Sequence, residues 1–201
     1  MVRKTKEEAE LTRRHIVDAA RRVFRDCGVR NSTLEKVAAA AGVTRGAVYW
    51  HFRNKTELFF AMREEATLPF VDRVVFDLNA TDPLAGIELA LREIFVILRE
   101  HTDVREIFEI LSFKCEYVDE FASMMGCSDG QMEFLQKLTE AYRQAGQLGA
   151  LRPGLSAGDM AYDTFLFICG LVKHWLAATE EERFRSDVMG LIHNHILLRR
   201  R

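Results

Sequence analysis

The chain has 201 residues, of which 48% are hydrophobic and 29% charged, and its formal net charge is −2. This composition excludes a disordered chain and allows a globular protein with a sizeable core. The four cysteines form no Cys-x-x-Cys pair, so reduced and mostly buried thiols are expected. The N-terminus has no signal-peptide pattern, and the longest apolar run, residues 165–172, is much shorter than a membrane span. A cytoplasmic location is therefore expected.

Charge is distributed unevenly along the chain. Residues 1–60 contain 13 lysines and arginines against 7 acidic residues, so this segment carries +6 and the remainder −8. A basic N-terminal segment joined to an acidic body is expected if only one end of the protein meets DNA phosphates. The alternative is chance clustering of charge on a solvated surface.

The first predicted helix covers residues 6–27, where apolar residues recur at three- and four-residue spacing. Gly28 is expected to end it, as glycine often does just past a helix terminus. A second helix follows, for which Ser32 with Glu35 forms a capping-box pattern and Thr33 is a competing cap.

Two short helices joined by a glycine turn follow each other. Gly42 ends the second helix, and a third is expected over residues 45–52, which together give the helix-turn-helix pattern. Asn54, with Glu57 three residues later, is predicted to cap a fourth, connecting helix over residues 55–78.

The remainder of the chain is also predicted to be helical. The Asp82-Pro83 pair favours a helix start, another helix opens at Thr102, and the glycine-rich stretch 146–158 predicts a loop. No segment has the pattern of a strand. The predicted helices of this part cover residues 83–100, 102–142 with breaks near 125–126 and 128–130, 157–179 and 180–199.

The third helix carries the residue types that DNA recognition needs. Thr44 offers a hydroxyl to phosphate, and Arg45 can reach a guanine edge or a phosphate. Gly46 keeps the helix surface low, while Tyr49 and His51 supply hydrogen-bond donors. Lys55 stands at a helix start, where the helix dipole disfavours a cation unless phosphate binds there as well. Val48 and Phe52 are expected in the core, and one of Tyr49 and Trp50 is a further candidate for it.

Three stretches carry a resemblance to a known family. They are Ile16-x-x-Ala19-Ala20-x-x-x-Phe24-x-x-x-Gly28, Thr33-Leu34-x-x-Val37-Ala38-x-x-Ala41-Gly42-Val43 and Gly46-x-x-Tyr49-x-His51-Phe52-x-x-Lys55-x-x-Leu58. Residues 12–55 thereby resemble the DNA-binding domain of the TetR family of bacterial repressors. Residues 1–9, 43–52 and 109–116 further resemble the branch that represses multidrug-efflux pump operons.

The predicted helices indicate an all-α protein of about nine helices. A three-helix helix-turn-helix DNA-binding domain would cover residues 1–56, and a larger ligand-binding and dimerisation domain residues 57–201. As a homodimer it would bind a palindromic operator in double-stranded DNA. The basic tail residues Arg3, Lys4 and Lys6 would add phosphate or minor-groove contacts. The implied DNA-binding residues are Thr33, Thr44, Arg45, Gly46, Tyr49, Trp50, His51 and Lys55.

The larger domain is expected to bind a hydrophobic small-molecule effector that releases the DNA. Phe108, Ser112 and Cys169 stand where relatives can carry polar or acidic groups, so an unusually apolar site is predicted. The implied ligand-binding residues are Ile94, Leu98, Phe108, Ser112, Phe165, Ile168 and Cys169. The implied dimer-interface residues are Phe167, Gly170, Leu171, Trp175, Ile192 and Ile196.

Other function classes fit the sequence less well. The six histidines form no metal-binding or catalytic pattern, and neither a nucleophile elbow nor a phosphate loop occurs, so no enzyme, cofactor or metal is expected. Sustained heptads, which a coiled-coil adaptor would need, are missing. Two alternatives within the same class stay open: an activator, and a regulator that responds to a metabolite.

Overall fold

The structure, a computed structural model, describes residues 6–76, 81–116, 121, 129–185 and 187–201. Within these ranges the chain is helical, and only an isolated antiparallel bridge joins Leu151 to Arg200. None of the described helices is both long and apolar enough to cross a membrane. The helices are α1 (Lys6–Cys27), α2 (Leu34–Ala40), α3 (Arg45–His51), α4 (Lys55–Arg73), α5 (Pro83–Glu100), α6 (Thr102–Phe113), α7 (Asp129–Gln147), α8 (Ala157–Ala177), α9 (Glu180–Arg185) and α10 (Val188–Leu197).

The predicted helix ends are largely confirmed, with one correction at α2. Gly28 follows α1 in a left-handed conformation, with φ of 75°. Thr33 caps α2 by accepting a hydrogen bond from the Lys36 N–H at 3.3 Å. The capping box predicted from Ser32 with Glu35 is therefore wrong, and the competing cap is the one used, because the buried Ser32 hydroxyl donates to the Gly28 carbonyl at 2.6 Å. Asn54 accepts from the Glu57 N–H at 2.8 Å, as predicted.

The connection between α2 and α3 is short and tightly hydrogen-bonded. Gly42 has a φ of 62°, and the N–H of Val43 reaches back to the carbonyl of Ala38 at 3.0 Å. This pattern closes the C-terminus of α2 and leaves its glycine left-handed. Thr44 then caps α3 by accepting from the Ala47 N–H at 3.1 Å. The predicted helix-turn-helix is therefore confirmed as local structure.

The helices pack into two compact units, of which the first contains residues 1–67 and 102–125. In this unit α6 lies against α1, where the carboxylate of Glu106 accepts from Arg21 at 2.7 Å and from Arg25 at 2.5 Å. The Val29 N–H also donates to the Lys114 carbonyl at 2.9 Å. A segment distant in sequence thus belongs to the helix-turn-helix unit. The expected domain boundary after residue 56 stays a prediction.

The second unit contains residues 68–101 and 126–201 and has an aromatic core. Phe95 and Trp175 meet edge to face with ring centroids 5.7 Å apart. Phe134 lies between Phe76 and Phe165, at 5.6 Å and 6.4 Å. Edge-to-face and tilted contacts of this kind are the favoured geometry for aromatic pairs.

The end of the chain differs from the sequence prediction in two respects. One helix was expected over residues 180–199, but α9 and α10 divide this segment, and Asp187 caps α10 by accepting from the Gly190 N–H at 2.8 Å. The prediction that the thiols are mostly buried is wrong for Cys27 and Cys169, which are both exposed. Cys115 is half-buried, and desolvation raises the pKa of its thiol. The predicted end of the fourth helix, Leu78, and the fourth cysteine, Cys127, lie outside the described residues.

A buried polar network joins α7, α8 and α10. The hydroxyl groups of Tyr142 and Thr164 are 2.7 Å apart, and Thr164 Oγ1 lies 3.0 Å from Nε2 of His195. The His195 ring stacks on Phe167 with centroids 3.8 Å apart. Desolvation, reinforced by nearby Arg199, lowers the pKa of His195 to about 4. The imidazole is therefore neutral at physiological pH.

This network predicts a specific pH dependence of stability. Unfolded His195 titrates near 6.5, so the unfolded state binds the proton more readily and stability falls as pH drops from about 6.5 towards about 4. We expect wild type to lose about 1 kcal/mol more than His195→Gln between pH 7 and pH 5, a value reduced for partial solvent screening. Urea unfolding at the two pH values measures this difference, and equal losses in both proteins would contradict it.

Candidate nucleic-acid interface

One side of α3 is fixed by the core, and this decides what the other side presents. Val48 and Phe52 are fully buried, as predicted. On the opposite side Tyr49 is 43% exposed and Trp50 74% exposed. Of these two candidates for a further core position, neither is buried. A large exposed aromatic surface on a short helix is typical of a binding face.

The first turn of α3 combines hydrogen-bonding groups with a low surface. Arg45 is largely exposed, and its guanidinium lies 5.2 Å from the centroid of the Tyr49 ring. A Cβ atom built on Gly46 would meet only Thr44 Oγ1, at an ordinary 3.9 Å. Nothing near Gly46 in the described part of the protein therefore requires a glycine at this helical position. A partner that approaches this position closely, such as a DNA groove, would explain why it carries a glycine.

The other predicted DNA-binding residues lie around this turn. Thr33 is exposed at the start of α2, and His51 is partly buried with its ring edge to face with Trp50 at 4.5 Å. The Lys55 ammonium donates to the carbonyls of Val29 at 2.9 Å and Arg30 at 3.2 Å. Lys55 therefore joins α4 to the loop after α1, and its contact with DNA stays a prediction.

Of the basic tail residues, only Lys6 is described. Lys6 is exposed at the first position of α1. Arg3 and Lys4 lie outside the described residues, so their predicted contacts with phosphate stay predictions.

Sequence reasoning missed Glu35 as a member of this surface. Its carboxylate forms an ion pair with Arg45 at 2.9 Å, across the turn between α2 and α3. The Glu35 N–H and the Thr33 hydroxyl lower the pKa of this carboxyl group, and Arg45 lowers it further. Ten residues separate the pair, so no helical periodicity could have revealed the contact.

The predicted ligand-binding residues are divided between the two units. Phe108 and Ser112 lie half-buried on α6 of the first unit. In the second unit Leu98, Phe165 and Ile168 are buried, Ile94 is half-buried and Cys169 is exposed. Their role as a ligand site stays a prediction. Within the described residues, no three His, Cys, Asp or Glu side chains are grouped to hold a metal ion.

The predicted dimer-interface residues differ in their exposure, and their role in a dimer stays a prediction. Four of them, Leu171, Trp175, Ile192 and Ile196, are buried inside the protomer and expose almost no surface for a partner to cover. Of the remaining two, Phe167 stacks on His195 and is partly buried, whereas Gly170 is exposed.

The fold and the exposed turn of α3 define a helix-turn-helix regulator. The family of bacterial regulatory proteins named tetR matches residues 16–62. The transcriptional regulator TtgR of Pseudomonas putida is 35% identical over 94% of this chain and 91% of its own length. The chain belongs to the TetR family of transcriptional regulators, and it is a regulator and not an enzyme.

Solved structures agree with this assignment. NalD, the secondary repressor of the MexAB-OprM multidrug efflux pump in Pseudomonas aeruginosa, has a TM-score of 0.82 at 29% identity and covers 97% of this chain and 98% of its own. The triclosan complex of SmeT, an efflux-pump repressor of Stenotrophomonas maltophilia, has a TM-score of 0.76 at 29% identity, with 94% and 90% covered.

The low surface at Gly46 gives a direct test of the interface. Gly46→Ala should leave the fold intact or stabilise it by about 0.5–1 kcal/mol, because alanine favours the helix. DNA affinity should fall at least about tenfold, the equivalent of one good base contact, because the methyl group holds α3 away from the bases. Thermal unfolding and a fluorescence-anisotropy titration measure the two effects.

Gly86→Ala is the matched control. Gly86 is also helical, and nothing lies within 4 Å of the position that the new methyl group would take, so this variant should gain helix propensity without losing affinity for DNA. Unchanged DNA binding by Gly46→Ala would contradict the assignment of α3 as the DNA-contacting helix.

Proposed function

We propose that the protein is a repressor that binds a palindromic operator as a homodimer, controls a multidrug efflux operon and leaves the DNA when a hydrophobic compound binds. The exposed first turn of α3 carries this proposal, because it offers Thr44, Arg45 and Tyr49 around a glycine with no steric role in the described protein. The similarity to NalD and SmeT, which are efflux-pump repressors, supports the choice of operon.

An exposed apolar face in the second unit supports dimerisation. Tyr162 and Leu166 lie one turn apart on α8 and are each more than half exposed, and exposed Gly170 follows after another turn. Leu191 and Leu198 add exposed apolar surface at α10. Exposed apolar surface of this kind is commonly covered by a partner, and a two-fold axis would place two copies of α3 on successive half-sites.

The aromatic core of the second unit favours an apolar effector. Phe134 touches both Phe76 and Phe165, and aromatic side chains accept varied hydrophobic ligands by repacking. The triclosan complex of SmeT provides one such compound for a relative. Release of DNA then requires only that the effector binds more tightly to a conformer whose two α3 helices do not match the operator.

The proposed dimer face can be tested with one charge. Leu166→Glu should shift the protein to monomers at micromolar concentration, because each two-fold interface would bury two unpaired carboxylates at about 2 kcal/mol or more each. Leu11→Glu, on a similarly exposed leucine of α1, is the control and should leave the dimer unchanged. Sedimentation velocity gives the masses, and a dimeric Leu166→Glu protein would contradict this face.

The regulatory part is tested by DNA release. The probe is a duplex enriched by wild-type protein from a random-sequence library, and triclosan is the first effector tried, followed by a panel of hydrophobic drugs and dyes. We expect tight, salt-sensitive binding to the duplex and a weaker affinity with the effector. If no library sequence is enriched, the repressor proposal is wrong; if no compound weakens binding, the effector class is wrong.

A further inference from the structure

Glu35 and Arg45 form an ion pair at the edge of the surface that we propose for DNA. The two side chains are 47% and 65% exposed, and such a pair contributes little to folding stability. We infer that Glu35 determines DNA-binding specificity by holding Arg45 against Tyr49, where the guanidinium can reach a base edge but is withheld from phosphates. This inference rests on the proposed function, because it assumes that α3 meets DNA.

Arg45 is held by three contacts before any DNA arrives. Its Nη2 atom lies 2.9 Å from the Glu35 carboxylate and 3.4 Å from the Tyr49 hydroxyl, and its guanidinium faces the Tyr49 ring. In the described structure both polar contacts use Nη2, so the N–H donors of Nη1 are left to meet a base edge. A long side chain that is ordered in advance loses less entropy on binding.

Whereas the ordering of Arg45 favours contact with a base, the negative charge of Glu35 weakens binding to DNA of arbitrary sequence. Its carboxyl group is ionised at neutral pH, because the Glu35 N–H, the Thr33 hydroxyl and Arg45 all keep its pKa low. If Arg45 turned to a phosphate, it would leave an unpaired carboxylate beside the polyanion. A correctly placed guanine can accept a hydrogen bond from Nη1 while the ion pair stays formed, so that contact does not carry this cost.

The test compares wild type with Glu35→Gln, which keeps the side-chain shape and removes the charge. Dissociation constants are measured for the duplex that wild type enriches from a random library and for a shuffled duplex, at several salt concentrations. Glu35→Gln should bind the shuffled duplex more tightly, and the ratio of the two constants should fall about tenfold. Its salt dependence on the shuffled duplex should steepen by about one unit per protomer, as expected for one more phosphate contact.

Two controls separate positioning from a general charge effect. Glu116→Gln removes the same charge from an exposed glutamate that pairs with Arg30 at 2.9 Å, and it should leave the ratio unchanged. In an Arg45→Ala background, Glu35→Gln should no longer alter the ratio, because the residue through which it acts is missing. Thermal unfolding checks that all variants are folded.

Three results would overturn the inference. They are an unchanged ratio in Glu35→Gln, an equal fall in Glu116→Gln, and a fall that persists without Arg45. If wild type enriches no sequence at all, the proposed function itself is wrong and this inference fails with it. A wild type that selects a sequence, combined with an unchanged Glu35→Gln, contradicts the inference alone.

Discussion

The turn between α2 and α3 is the constraint from which the proposed DNA surface follows. Gly42 adopts a left-handed conformation, the Val43 N–H closes α2, and Thr44 opens α3 only two residues after the glycine. So short a connection leaves α3 one way to bury Val48 and Phe52. Between those positions Tyr49 and Trp50 are exposed and His51 is partly buried, so the outer side of α3 carries hydrogen-bonding and aromatic groups suited to DNA.

Ion pairs between segments distant in sequence fix the position of α6 and of the Arg45 side chain, which the turn alone does not determine. Glu106 of α6 takes hydrogen bonds from two arginines of α1, and this places α6 in the same compact unit as the helix-turn-helix. In the same unit, Glu35 forms an ion pair with Arg45. The contacts of Glu106 hold α6 against α1. The pair between Glu35 and Arg45 is exposed and contributes little to folding stability, so a role in DNA recognition is open to it.

Local sequence signals predicted most of the fold, because glycine conformations, helix caps and apolar spacing act over a few residues. Gly28, Thr33 and Asn54 are examples in which the residue type carries its own physical reason. Periodicity alone does not distinguish the outer face of α8 from its buried face, since exposed Leu166 and buried Trp175 are both apolar. Contacts between distant segments, such as Glu106 with α1, leave no local pattern at all.

Intrinsic fluorescence tests most directly whether α3 is the DNA-binding face. The chain has two tryptophans, Trp50 on the open side of α3 and Trp175 in the core, so acrylamide should quench Trp50 alone. Trp50→Phe identifies its signal. The account predicts that the enriched duplex, at a concentration just sufficient to saturate the protein, protects Trp50 from acrylamide. A shuffled duplex at that same concentration should not protect it. Full quenching of Trp50 in a protein that is demonstrably bound to DNA would contradict the account.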